Sequence, residues 1–328
     1  EARGETAMLR LARSIHDTYR ELSDEARGEF FEFLADDLDI DTDEIGEISA
    51  RYAEDPSADN LAALQIAAEP KRQTLFRRLN YAEGATADLV ALRTDLLRAV
   101  KETPKLKKID LDLMHLFASW FNRGFLVLRR IDWSTPADIL ERIIAYEAVH
   151  EINDWDDLRR RTQPADRRCY AYFHPRVPED PLIFVEVALT RNVPTSIQEV
   201  LSDTREPVDP EDIDTAVFYS ISNCQPGLAG ISFGEALIKR VVADLSEELP
   251  NLKTFITLSP IPGFRRWYET ASPLAPKDED QPLPDAPEGE TVAALAAFYL
   301  TQAKRGDGFP RDPVARFHLS NGAGIHNV

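Results

Sequence analysis

The sequence predicts an α+β protein, with an all-helical domain over residues 1–122 followed by a mixed-sheet domain over 123–328. Three observations carry this. Up to about residue 122 the apolar residues recur at helical spacing, and nothing alternates with the two-residue period of a strand. At Gly124 the character changes, and β-branched and aromatic runs begin to alternate with helical segments. The resulting order, β-α-β-β-α-β-α-β, is that of an α+β domain and not of a regular parallel repeat.

In the first region Ser23 precedes Asp-Glu-Ala-Arg and a broad apolar face of Phe30, Phe31, Phe33, Leu34 and Leu38, which predicts Ser23 as a helix N-cap. Further helices are expected to start near Asp41, Ser57, Pro70, Thr86 and Asp110, and Leu92, Leu96 and Leu97 share one face. His16 and His115 read as packing or surface residues of this scaffold. Phe125-Leu126-Val127-Leu128 is the first expected strand. Thr135-Pro136-Ala137-Asp138 then opens a helix, with Thr135 predicted as N-cap and Pro136 at the first helical position. Cys169 to Phe173 and Leu182 to Leu189 read as two strands, and the tight connection between Pro175 and Pro181 predicts an antiparallel pair. A short helix near Ser196, a strand from Ala216, a glycine turn with its helix and a strand at Phe255 complete the sheet. Positions 272 to 288, rich in Pro, Asp and Glu, predict an exposed loop, and Ala293 to Tyr299 a helix.

Composition bounds the function. The 328 residues are 43% hydrophobic and 29% charged, ordinary for a soluble globular protein, and suffice for two domains. A formal net charge of -19 argues against a nucleic-acid partner, because such binding rests on basic contacts. It leaves room for a small anion held by backbone N–H groups. No apolar run reaches the ~20 residues that a membrane helix needs. Two cysteines, Cys169 and Cys224, are too few for a disulfide framework and read as buried thiols of a reducing compartment. The expectation is a soluble cytoplasmic protein, and the absence of Met at position 1 reads as an incomplete N-terminus.

The most informative stretch runs from Ala216 to Tyr268. The apolar run Ala-Val-Phe-Tyr-Ser-Ile-Ser leads into Gln-Pro-Gly-Leu-Ala-Gly-Ile-Ser-Phe-Gly, and the amphipathic Glu-Ala-Leu-Ile-Lys-Arg-Val-Val follows. Strand, glycine turn and helix N-terminus together make a pocket of N–H groups suited to a phosphate or diphosphate. The glycines Gly227, Gly230 and Gly234 are spaced G-x-x-G-x-x-x-G. This is neither the dinucleotide fingerprint nor a Walker loop, which disfavours NAD and P-loop chemistry. A turn that is glycine-rich only for packing is the alternative. Leu-Ser-Pro-Ile-Pro-Gly-Phe then places Ser259 at a strand end. Ser259 is no G-x-S-x-G nucleophile, and local features leave structural and catalytic readings open for it. The same holds for His318, which lies in a strand-like Arg-Phe-His-Leu run. His150 and His174 read as surface or capping residues, with Glu147 and His150 as outside catalytic candidates. Lys239 and Arg240 read as surface ion pairs, and no Cys/His cluster has zinc spacing.

Taken together, Phe-Tyr-Ser-Ile-Ser (218–222), the glycine segment, Leu-Ile-Lys-Arg-Val-Val (237–242), Leu-Ser-Pro-Ile-Pro-Gly-Phe (258–264) and Phe-His-Leu-Ser-Asn-Gly-Ala (317–323) resemble the malonyl-CoA decarboxylase family. Glu-Ala-Val-His (147–150) and Val-Ala-Leu-Thr (187–190) match as well, so the resemblance spans about 120 to 323. It implies a helical domain before a catalytic domain with the fold of GCN5-related acetyltransferases, and the helical region itself reads as a scaffold or the seat of a homo-oligomer. It further implies conversion of malonyl-CoA to acetyl-CoA and carbon dioxide with no metal or organic cofactor, CoA entering as part of the substrate. The family's CoA-binding segment falls on Ala229, Gly230, Ile231, Ser232, Phe233, Gly234 and Glu235, and its catalytic serine and histidine on Ser259 and His318. The family pattern continues past Asn-Gly-Ala, so the catalytic domain is expected to lack its C-terminal end here. An acyl-CoA-dependent acetyltransferase and a non-catalytic CoA-binding relative are the competing readings.

Overall fold

In a computed structural model of the chain, residues 2–231, 233–271 and 290–328 are described. Ser232 and the acidic, proline-rich positions 272 to 288 lie outside them. The chain begins with helices α1 (Ala2–Glu21), α2 (Asp24–Asp36), α3 (Thr42–Glu54), α4 (Ala58–Ala67), α5 (Lys71–Leu79), α6 (Ala85–Glu102) and α7 (Lys107–Trp120). The predicted starts at Ser23, Asp41 and Ser57 hold because the caps are local chemistry, whereas α7 starts at Lys107 and not near Asp110. The Ser23 hydroxyl accepts the N–H of Ala26, Asp41 accepts those of Asp43 and Glu44, and Ser57 accepts that of Asn60.

The remaining elements are β1 (Val127–Ile131), α8 (Ala137–Tyr146), α9 (Trp155–Thr162), β2 (Arg167–Phe173), β3 (Ile183–Thr190), α10 (Ile197–Leu201), β4 (Thr215–Asn223), α11 (Gly234–Glu248), β5 (Thr254–Thr257), α12 (Phe264–Ala271), α13 (Glu290–Thr301) and α14 (Pro313–Ser320). The five strands form one sheet in the order β1-β2-β3-β4-β5. β1 pairs antiparallel with β2 and β4 pairs parallel with β5, so the sheet is mixed. The α+β class and the order of helical region before mixed sheet are therefore as expected.

Four local expectations are corrected. The first strand starts at Val127, because Arg123–Phe125 close a short 3-10 turn held by the Asn122 side chain on the Gly124 N–H. Thr135 does not cap α8; Pro136 holds the cap position, and the Thr135 hydroxyl accepts the N–H of Asp132 in the preceding turn. His174 is buried and not on the surface, its Nε2 3.1 Å from the Trp120 carbonyl, while its Nδ1 accepts the Arg176 N–H at 3.2 Å, which is the capping half of its reading. His318 lies on a helix, α14, and not on a strand.

The chain forms two compact units, Glu1–Glu186 with Ile221–Pro250, and Val187–Ser220 with Asn251–Val328. In the first, α2, α5, α6 and α7 bury Phe31, Leu34, Phe76, Leu89, Leu96, Leu113 and Phe117, whereas α3 and α4 bury no residue. A further core joins Ile139, Leu140 and Ile143 of α8 to Cys169, Ala171 and Phe173 of β2 and to Phe184 and Cys224. Both cysteines are free and buried, and burial pushes both thiols up. In the second unit Ala188, Val200, Val217 and Tyr219 pack together with Ile256 and Leu258, and Trp267, Tyr299 and Leu300 form a second cluster.

Candidate active site

In the second unit, β5 runs parallel to β4 and the pairing continues one residue further, Leu258 donating its N–H to the Phe218 carbonyl. Pro260 has no N–H to extend the ladder, so the chain leaves the sheet at Ser259 and enters α12 at Phe264. Helix α14 starts where Asp312 accepts the N–H groups of Val314 and Ala315, with Pro313 in its first turn. That start brings His318 to Ser259, with Oγ and Nε2 3.1 Å apart and the ring tautomer deciding which atom donates. Ser259 is exposed and His318 half-buried. Burial lowers the His318 pKa below its ordinary 6.5. The Phe317 ring meets the imidazole edge-on at 5.0 Å.

One carboxylate ties the two segments together. Asp312, 1% exposed, caps α14 with Oδ1 and accepts the Gly263 N–H on Oδ2 at 3.2 Å. A Cβ at Gly263 would lie 2.2 Å from the Tyr299 hydroxyl, so a larger residue there would have to displace that ring. The serine turn and the histidine helix are thus fastened to each other through a buried group beside the Trp267–Tyr299 cluster.

The first unit holds the glycine segment. Pro226–Leu228 form a 3-10 turn, Gly230 adopts φ +84°, which favours glycine, and α11 starts at Gly234 with no side-chain cap among the described residues. Leu237, Val241 and Leu245 form its buried stripe. Among the described residues no side chain takes up the first N–H groups of α11, which suits them to an anion. Ala229 and Gly230 are exposed, Ile231 and Glu235 half-exposed, and Phe233 and Gly234 buried. Glu235 pairs with Lys239 at 2.5 Å and Arg240 with Asp244 at 2.9 Å, the surface ion pairs expected.

The Glu147 carboxylate accepts the N–H groups of Val149 and His150 and the Ser222 hydroxyl. Among the described residues no group of three His, Cys, Asp or Glu side chains could hold a metal ion. Two residues had escaped the sequence reading. Asp312 carried a signal, an Asp-Pro pair that reads as N-cap and first helical position. Arg93, described below, carried none, because its partners lie far away along the chain.

These features define an α+β protein with a hydrogen-bonded Ser–His pair on one unit and a glycine turn opening a helix on the other. Residues 38–121 match the family model of the malonyl-CoA decarboxylase N-terminal domain, and residues 124–328 that of the C-terminal domain. The crystal structure of malonyl-CoA decarboxylase from Rhodopseudomonas palustris is 48% identical, with a TM-score of 0.87 over 98% of this chain and 82% of that one. The corresponding structure from Agrobacterium vitis is 47% identical, with a TM-score of 0.88 over 98% and 83%. The mitochondrial malonyl-CoA decarboxylase of Anser anser anser is 34% identical over 92% of this chain and 69% of that protein. The chain belongs to the malonyl-CoA decarboxylase family, as its motifs had implied.

Asp312→Ala removes a cap and leaves the part-buried Gly263 N–H without its acceptor. It is expected to lower stability by about 1–3 kcal/mol in urea unfolding. Asp312→Asn, which keeps a capping oxygen, should lose less. An unchanged midpoint in the alanine variant would remove Asp312 from this fastening role.

Proposed function

We propose that the chain converts malonyl-CoA to acetyl-CoA and carbon dioxide, with Ser259 and His318 as the reacting groups and the segment from Ala229 to Glu235 as the CoA site. The observation that carries this is the Ser259–His318 hydrogen bond at 3.1 Å in a member of this family.

Decarboxylation breaks the bond between the carboxylate carbon and C2, and its electron pair moves into the thioester carbonyl as an enolate. The thioester is itself the electron sink, so in this reading the step calls for neither a metal nor an organic cofactor. Ser259 donates a hydrogen bond to the oxygen on which charge develops, a type of contact worth most in a pre-arranged site. The enolate then collapses, C2 takes a proton from His318, and the carbonyl re-forms. In the free protein burial lowers the imidazole pKa below its ordinary 6.5 and so favours the neutral ring. The malonyl carboxylate, anionic at neutral pH, raises the imidazole pKa when it binds beside it. The ring thus gains with the substrate the proton that it later gives to carbon. The nucleotide end supplies binding energy remote from the reaction, which orients the malonyl group.

The same reading includes a homo-oligomer formed through the helical region. It is supported by α3 and α4, which bury nothing while Leu61 and Ile66 stand exposed.

The test is turnover of malonyl-CoA by the purified chain, followed as acetyl-CoA by mass spectrometry. Acetyl-CoA is expected from the unaltered chain, and kcat should fall about 10²–10³-fold in Ser259→Ala, the scale for losing one donor to a developing oxyanion. CoA binding without acetyl-CoA formation would overturn the enzymatic reading.

A further inference from the structure

We infer that Arg93, a residue of the helical region, is the positioning residue of the CoA loop: its guanidinium grips the loop from behind and turns an amide outward to the diphosphate. The inference rests on the reading of the glycine segment as the CoA site.

Arg93 lies on α6 and is 1% exposed. Its Nη1 donates to the Gly227 carbonyl at 2.8 Å and to the Ala229 carbonyl at 2.9 Å. Its Nε donates to Asp110 at 2.7 Å, and the guanidinium lies 5.9 Å from the centre of the Phe117 ring. A buried guanidinium is always charged and leaves no donor idle without cost. The loop carbonyls thus satisfy Arg93 while Arg93 fixes them. Three acceptors in different directions suit the rigid fork of arginine; the compact ammonium of lysine cannot reach all of them.

The consequence for the loop follows from peptide geometry. In a trans peptide the carbonyl of one residue and the N–H of the next point in opposite directions, and the described residues contain no cis bond. With the Ala229 carbonyl drawn inward to Arg93, the Gly230 N–H is directed away from it. Ala229 and Gly230 are exposed, and the Gly230 N–H bonds to none of the described residues. The N–H groups of Leu228, Ala229 and Ile231, in contrast, are taken up by the turn itself. Packing secures the same arrangement. Gly227 lies against the Val90 backbone, Gly230 faces the end of Met114, and the Phe121 and Phe233 rings meet at 6.4 Å.

The experiment compares calorimetric binding of CoA with that of pantetheine, which has the same thiol arm but no nucleotide or diphosphate. Arg93→Lys is expected to weaken CoA at least about tenfold, the loss of one to two charge-assisted hydrogen bonds, and to leave pantetheine within about twofold. Asp110→Asn, which loosens Arg93 without touching the loop, should weaken CoA about threefold and leave pantetheine unchanged, an intermediate step on the same scale. Equal weakening of both ligands in Arg93→Lys, or no change in CoA affinity, would overturn the inference. Should circular dichroism show that Arg93→Lys does not fold, Asp110→Asn decides by the same criterion. Binding is read without turnover. A chain that binds CoA but releases no acetyl-CoA would therefore defeat the decarboxylase reading and leave this test intact.

Discussion

His318→Asn is expected to lower kcat for malonyl-CoA by about 10²–10⁴-fold, the range for removing a positioned acid or base. Asparagine retains a donor of similar reach for Ser259, so the loss measures proton delivery to C2 and not the collapse of the serine turn. The pH profile gives the sign. The kcat/KM limb reports the free enzyme, in which burial holds the ring below 6.5. That limb should fall about tenfold per pH unit above the depressed pKa, because the required proton becomes scarcer. The kcat limb reports the complex, where the substrate carboxylate favours the imidazolium, so it should break at higher pH. Coincident breaks in the two profiles would remove the substrate-induced rise. An alkaline limb that survives in His318→Asn would assign it to another group.

What the sequence made legible was governed by short-range chemistry. Ser23, Asp41 and Ser57 cap the helices predicted for them because a cap joins atoms two or three residues apart. The strands β2, β3 and β4 were legible because a β-branched or aromatic run bounded by turn residues has few alternatives. The helix bearing His318 failed on a matter of scale. Arg-Phe-His-Leu taken alone suits a strand, but the capping carboxylate of Asp312 and Pro313 impose a helix from upstream. Thr135 failed because a hydroxyl beside a turn can accept from the turn as well as from the helix, and here it accepts the N–H of Asp132. The Ser259–His318 pair was named from family motifs, since residues 59 apart carry no mutual signal in a single sequence. Arg93 was illegible for the same reason, 134 residues from the carbonyl of Gly227.

Gly227→Ala should produce the largest loss of stability among single-methyl additions at the described glycines. A Cβ there would lie 1.9 Å from the Val90 carbonyl oxygen and 2.8 Å from Thr94 Oγ1. The first of these is helix backbone, which cannot swing aside as a side chain can. The Val90 carbonyl also accepts the Thr94 hydroxyl at 3.1 Å, so moving it disrupts a second bond. The relief open to the variant is to lift the turn off α6, which breaks both hydrogen bonds of Arg93 to the loop and leaves its buried Nη1 without an acceptor, although Asp110 still pairs the charge. Overpacking and an unsatisfied buried donor together suggest a loss of about 3 kcal/mol or more in urea unfolding. Gly28→Ala supplies the contrast: it lies inside α2 with nothing within 4 Å of the added carbon. There alanine should stabilise by up to about 1 kcal/mol through helix propensity alone. The two variants add the same methyl group, so an opposite sign separates the tertiary contact from the residue type. A Gly227→Ala midpoint equal to that of the parent would mean that the turn does not depend on α6 for its place.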